Sequence, residues 1–156
     1  MEIKIRKAKI EDFKEIQRLN YLLFKKEFDE YEHTLNIKWP YTKEAKEYFR
    51  DSIKNSCTLV YEEDNKIVGY MIGRLRKKPT SRNNIVLVEL DNMYIEKEYR
   101  GRGIGKKMVK MLEKWAEKKG ANKLKVGAFV GNDSGMKFYK KLGFKEYEIF
   151  FEKEVD

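Results

Sequence analysis

The sequence predicts a mixed α/β domain of three layers, with helices on both faces of a central sheet. Three observations carry that expectation. Segments with a two-residue apolar period alternate with segments of helical period along the chain. A glycine-dense loop joins a long strand-like run to an amphipathic helix. No internal repeat and no Pro-, Gly- or Ser-rich linker interrupts the 156 residues, so residues 1–156 are expected to form one domain.

In chain order, Ile3 and Ile5 alternate with Lys4 and Arg6, which predicts a strand with one polar face. Phe13, Ile16, Leu19 and Leu23 then recur at helical spacing, with Glu11 and Asp12 at the helix start, where the dipole favours them. Residues 27–39 lack clear periodicity; they are acidic at first (Glu27, Asp29, Glu30, Glu32) and then mixed. Thr42 is placed to cap a second helix whose stripe is Ala45, Phe49 and Ile53. Residues 57–61 and 67–75 predict a strand pair joined by a turn at Asp64–Asn65. Residues 77–84 read as an exposed connection and residues 85–95 as a long strand. Ile104, Met108, Met111, Leu112 and Trp115 give a helical stripe that stops at Gly120. A strand over 124–130, a short helix over 134–142 stopped by Gly143, and a closing strand over 144–151 complete the order.

Composition narrows the partners. Lys and Arg number 35 against 26 Asp and Glu, a net charge of +9, so an anionic partner is expected. A single cysteine excludes a disulfide framework and a cysteine-based zinc site within one chain, and no metal is expected. The chain has no apolar run of spanning length, and its N-terminus reads as a strand and not as a signal peptide; a cytoplasmic protein with no membrane partner is expected. One glutamine beside abundant Lys and Glu is a composition shared by proteins of hot environments and by lysine-rich mesophile proteins.

The loop Tyr99-Arg-Gly-Arg-Gly-Ile-Gly-Lys106 is the most informative segment. Glycines let its N–H groups approach a ligand, and the helix that follows adds unpaired N–H donors and about half a positive charge. Together they make an anion cradle suited to phosphate. A nucleotide P-loop needs four residues between the first Gly and the Gly-Lys pair, then Ser or Thr. Here three residues separate Gly101 from Gly105, and Lys107 follows Lys106. A dinucleotide fingerprint needs a glycine where Lys106 stands. The remaining pattern is Arg-x-x-Gly-x-Gly, met by Arg100, Gly103 and Gly105.

With that pattern in hand, residues 88–144 resemble the core of the GCN5-related N-acetyltransferase (GNAT) superfamily. One landmark is the Arg100–Gly105 loop between strand and long helix. The second resembles Asn132-Asp-Ser-Gly-Met-Lys-Phe-Tyr139-Lys-Lys-Leu-Gly-Phe144. Residues 1–84 match only in the order of their elements. The resemblance implies a mostly antiparallel mixed sheet with one splayed parallel strand pair. It further implies an acceptor-side half at 1–84 and an acetyl-coenzyme A-binding half at 85–156.

Carried over residue by residue, the resemblance assigns the backbones of Met93, Tyr94 and Ile95 to the pantetheine arm. A backbone N–H near Met93 or Tyr94 would polarise the acetyl carbonyl. It assigns Arg100, Gly101, Arg102, Gly103, Ile104, Gly105 and Lys106 to the pyrophosphate, with Lys107 adding charge. Asn132 would hold the pantetheine arm while also capping its helix. Tyr139 would protonate the departing thiolate. For the proton acceptor, Glu89 stands in an apolar run where a carboxylate is costly to bury, and alternation places Glu89, Asp91, Met93 and Ile95 on one face. Glu89 and Asp91 are therefore the candidate bases; a salt bridge from Glu89 to Arg74 or Arg76 is the competing structural role. His33 in a variable loop and Cys57 at a strand start are not expected to take part.

The implied activity is direct acetyl transfer from acetyl-coenzyme A to a primary amine: a small-molecule amine, a polyamine, or a protein or peptide amine. The acidic stretch from Glu27 to Glu32 either attracts a cationic acceptor or is a solvated helix end. The alternative class is a basic module on nucleic acid or the ribosome with a vestigial coenzyme site. The charge and Lys106, Lys107, Lys110, Lys114 and Lys118 support it, but no recognised nucleic-acid motif does. Phe150 and Phe151 are expected either inside the domain or in a homodimer contact.

Overall fold

In the computed structural model, residues 3–156 are described; Met1 and Glu2 of the expected first strand lie outside the described residues. Five strands lie in sequence order in one sheet: β1 (Lys4–Lys7), β2 (Cys57–Glu63), β3 (Lys66–Leu75), β4 (Leu87–Ile95) and β5 (Lys123–Val126). Neighbours are antiparallel except β4 and β5, which run parallel. Helices α1 (Phe13–Glu30) and α2 (Lys43–Asn55) cover one face; α3 (Ile104–Lys118) and α4 (Asp133–Lys141) cover the other. This is the three-layer arrangement the periodicity predicts.

Local chemistry explains the element ends. The Thr42 hydroxyl accepts from the Ala45 N–H at 3.2 Å, and Ala45, Phe49 and Ile53 form the buried stripe of α2. Asp64 and Asn65 both take positive φ (51° and 62°), the conformation that a two-residue hairpin turn demands. The two core clusters sort by face. Val60, Tyr70 and Ile72 pack with Ile16, Leu19, Ala45 and Phe49; Leu59, Tyr61, Met71, Val88 and Leu90 pack with Ile104, Met108 and Leu112. At Gly73 the sheet and α3 come so close that a Cβ would collide with the Leu112 side chain.

Three expectations are corrected. The acidic stretch is partly helical, because α1 continues through Glu30. The strand expected over 124–130 stops at Val126; Gly127 follows, and the chain turns at Phe129–Asn132 to enter α4. The closing strand expected over 144–151 does not form. That segment has no neighbouring strand to satisfy its backbone groups, and it leaves Tyr147, Ile149, Phe150 and Phe151 between 58% and 92% exposed.

Candidate active site

Strand β4 organises the site. Its register against β3 slips by one residue: Ile72 faces Asn92 while Gly73 faces Leu90, so Asp91 is an extra, bulged residue. Strict alternation puts Glu89, Asp91, Met93 and Ile95 on one face, and the bulge overturns this. Val88, Leu90, Met93 and Ile95 pack with the α3 layer. Asp91 and Asn92 instead both reach Tyr48 on α2, through Tyr48 Oη donating to Asp91 Oδ2 (2.8 Å) and Asn92 Nδ2 donating to Tyr48 Oη (3.0 Å).

The same strand opens a cleft. β4 pairs with β5 only over Leu87–Leu90 and then runs on through Ile95, while β5 ends at Val126. Residues 91–95 therefore present toward the β5 side an edge with no strand beside it, a row of peptide groups that an amide-containing chain can pair with.

The glycine loop closes one end of this cleft. Gly101 and Gly103 sit at φ +76° and +78°, a region that L side chains rarely adopt, and Gly103 is the N-cap of α3. The amides of Ile104, Gly105 and Lys106 open α3, where a helix supplies no acceptors of its own. A Cβ on Gly105 would press on the Phe138 ring at 3.0 Å, so this glycine lets α4 pack against the start of α3. The loop arginines are partly engaged. Arg100 Nε donates to the Ile95 carbonyl (2.7 Å) and its guanidinium lies over the Tyr94 ring. Arg102 meets Glu63 (3.2 Å) and the Glu98 carbonyl (3.2 Å). Lys106 is exposed.

Helix α4 forms the far wall. Asn132 Oδ1 caps it by accepting from the Gly135 N–H (3.0 Å), and it also accepts from Oη of Tyr31, the C-cap of α1 (3.2 Å). Tyr139 packs edge-on against Phe138 and Phe144. Burial, with a further contribution from the charge of Glu27, pushes its phenol up to about 12, so the group stays protonated at neutral pH.

The chain matches the model of the Acetyltransferase (GNAT) family over residues 14–144. It belongs to that family. A relative is the uncharacterized N-acetyltransferase MJ1207 of Methanocaldococcus jannaschii, 27% identical over 153 residues, covering 93% of this chain and 60% of that protein. A probable spermine N(1)-acetyltransferase of Bacillus subtilis subsp. natto is 32% identical over 88 residues, 56% of this chain and 57% of that one. The GNAT chain thus spans about three-fifths of the length of these curated relatives. Among solved structures, the PaiA N-acetyltransferase of Thermoplasma acidophilum in complex with coenzyme A superposes with a TM-score of 0.77 at 24% identity, covering 96% of this chain and 94% of that one.

Within this GNAT domain the two expected base candidates share one cation. Arg76 Nε meets Glu89 Oε1 at 3.1 Å and Arg76 Nη2 meets Asp91 Oδ1 at 2.6 Å. Asp91 is nearly enclosed, its side chain 8% exposed; burial raises its carboxyl above the usual range, opposed by the Tyr48 hydrogen bond and by Arg76. The structure brings these carboxylates together with Tyr48, to which the sequence assigns no role. Asn20 is a second residue of this kind. That side chain is fully buried and donates to Tyr70 Oη (2.8 Å), yet its Oδ1 has no partner. A buried polar atom left without a partner is costly and calls for an explanation. An asparagine within the helical stripe of α1 was the only signal available beforehand.

His33 is exposed, with its ring nitrogen against the Phe28 carbonyl, and Cys57 is buried with its thiol pushed up to about 11. Neither lines the cleft. A surface concavity lined by Arg6, Asp12, Glu15 and Arg18 is filled by internal pairs, Arg6 with Asp12 and Arg18 with Glu96, both at 2.7 Å. Among the described residues no group of three His, Cys, Asp or Glu side chains is placed to hold a metal, and no helix is long and apolar enough to cross a membrane.

Proposed function

We propose that this domain transfers an acetyl group from acetyl-coenzyme A to a primary amine by direct attack. The observation that carries the reading is the unpaired edge of β4 at residues 91–95, whose Met93 and Ile95 pack against the same core cluster as Tyr139, with Ile95 beside Gly105 at the start of α3. The edge pairs with the amides of the pantetheine arm. Gly101, Gly103, Ile104, Gly105 and Lys106 offer backbone N–H groups to the pyrophosphate, with Arg100, Arg102 and Lys106 adding charge around them. Asn132 keeps its Nδ2 donors outside the helix cap and offers them to the arm. The thioester carbonyl then lies beside the bulge, where an N–H near Met93 or Tyr94 stabilises the developing oxyanion. Tyr139 donates a hydrogen bond to the thiolate as the C–S bond breaks. That the PaiA neighbour was crystallised with coenzyme A supports the assignment of the cleft.

The acceptor enters from the α1–α2 side. The anionic pair Glu89 and Asp91, held by Arg76 and Tyr48, forms part of that wall. The spermine acetyltransferase relative supports an alkyl amine as the acceptor class. A buried free thiol at Cys57 fits a reducing, cytoplasmic setting. The test is acetyl-coenzyme A-dependent thiol release with spermidine, putrescine and lysine methyl ester. Release with at least one amine, falling roughly 10²-fold or more in Tyr139→Phe, is expected. Unchanged turnover in that variant removes Tyr139 from the leaving-group role.

A further inference from the structure

One half-buried carboxylate in the cleft has no role in the machinery described above. Glu27 stands on α1 seven residues after Asn20 and four before Tyr31. At about 100° per residue Glu27 lies within about 20° of Asn20 on one helix face, and Tyr31 follows as the C-cap of α1. Asn20 ties that face to β3 and β4 through Tyr70 (2.8 Å) and Asn92 (3.4 Å). Tyr31 ties it to α4 through Asn132 (3.2 Å). Helix α1 therefore crosses over the gap between β4 and α4, and Glu27 lies on the crossing face between the two anchors. Its charge is felt by Tyr70 on one side and by Tyr139 on the other.

Among the described residues the Glu27 carboxylate has no hydrogen-bond or ion-pair partner. The neighbouring lysines are engaged elsewhere, Lys25 with Asp29 and Lys26 with Glu30, both at 2.6 Å. Burial raises the Glu27 carboxyl above its ordinary range, and Lys26 opposes this only in part. A half-buried carboxylate without a partner is a cost to the fold, and an incoming ammonium removes it. Glu89 and Asp91 differ in that both are already engaged, each by Arg76 and Asp91 also by Tyr48.

We propose that Glu27 holds the acceptor as a primary alkyl-ammonium and takes its first proton. The proposal rests on the acetyl-transfer reading and names the catalytic base for it. In the balanced step, one ammonium proton passes to Glu27 and on to solvent. The freed nitrogen lone pair forms the C–N bond to the thioester carbonyl carbon. The C–S bond breaks with its electron pair on sulfur, and the amine's second proton ends on the coenzyme thiol.

The experiment uses the full chain, acetyl-coenzyme A and spermidine, with putrescine and lysine methyl ester as parallel acceptors, from pH 6 to 10. Glu27→Gln is expected to lower kcat/KM at pH 7 by about 10²- to 10⁴-fold while leaving the calorimetric Kd for acetyl-coenzyme A and the Tm undiminished. The deficit is expected to shrink as the pH approaches the amine's own pKa, near 10.4 for an alkyl-ammonium, because a neutral amine needs no base. The cation facing Glu27 is Lys26, and Tyr70 and Tyr139 are the phenols that feel its charge, so the same profile is recorded for Asp29→Asn, which is expected within twofold of wild type. Glu27→Gln activity within twofold of wild type at pH 7, or a deficit that stays constant to pH 10, overturns the proposal. Wild-type protein that releases no thiol with any of the three amines overturns the transfer reading, and the base assignment with it.

Discussion

Removing the Tyr48 hydroxyl tests how the β4 bulge is held. Tyr48→Phe deletes the bond to Asp91 Oδ2 (2.8 Å) and leaves the Asn92 Nδ2 donor, 3.0 Å away, without its acceptor. A hydrogen bond to a charged group contributes about 1.5–3 kcal/mol and a neutral one about 1. Arg76 remains on Asp91 at 2.6 Å and limits the damage, so a loss of about 2–3 kcal/mol is expected at pH 7. In a chain of 156 residues this lowers Tm by roughly 5–10 °C. The sign of the pH dependence follows from Asp91. Burial lifts its folded pKa above the unfolded one, so its charged form is penalised and its contribution to stability falls as pH rises through the folded value. The Tyr48 bond offsets that penalty only while Asp91 is ionised. Urea unfolding followed by circular dichroism at pH 4.5 and pH 7 is then expected to give a larger deficit at pH 7. A loss below about 0.5 kcal/mol, or a deficit that is larger at pH 4.5, refutes the reasoning.

Three further predictions rest on separate parts of the molecule. Asp12 is nearly buried and bidentate with Arg6 (2.7 and 3.0 Å), which together with the Lys9 N–H holds its carboxyl below the usual range. Its stabilisation is therefore complete above the unfolded pKa and lost as pH falls through the folded one; Asp12→Asn is expected to be destabilised at pH 7 and to unfold with a flatter acid dependence than wild type. Gly135→Ala places a methyl group against the Asn132 side chain, so the α4 cap is expected to break, at a cost of about 1–2 kcal/mol by thermal unfolding. Gly103→Ala meets no steric obstacle but must adopt φ +78°, so a stability loss of about 1–2 kcal/mol is expected together with a raised calorimetric Kd for acetyl-coenzyme A.

What the sequence made legible was what local chemistry decides. Thr42 announced a helix start and Asp64–Asn65 a hairpin turn, because a side-chain acceptor and a pair of left-handed residues act within a few positions. The Arg100–Gly105 loop was legible for the same reason. The bulge at Asp91 was not, since it exists only in the register of β4 against β3, and one slipped residue reverses the facing of everything before it relative to everything after. Strict alternation therefore groups Glu89 and Asp91 with Met93 and Ile95, whereas the bulge turns them to the opposite face. Glu27 was hidden by its neighbours. In sequence it is one of four acidic residues, whereas in the fold Asp29 and Glu30 pair with lysines at the surface and Glu27 turns inward over the cleft. The alternation in residues 144–151 predicts a strand, but alternation gives only the faces of a strand and not the neighbour it needs.

The most direct measurement is a crystal structure of the chain with coenzyme A bound. The pantetheine amides are expected paired with the free edge of β4 at residues 91–95, the pyrophosphate on the amides of Ile104, Gly105 and Lys106, and the sulfur within reach of Tyr139 Oη. Coenzyme A bound away from the β4 edge, or no binding at millimolar coenzyme, contradicts this.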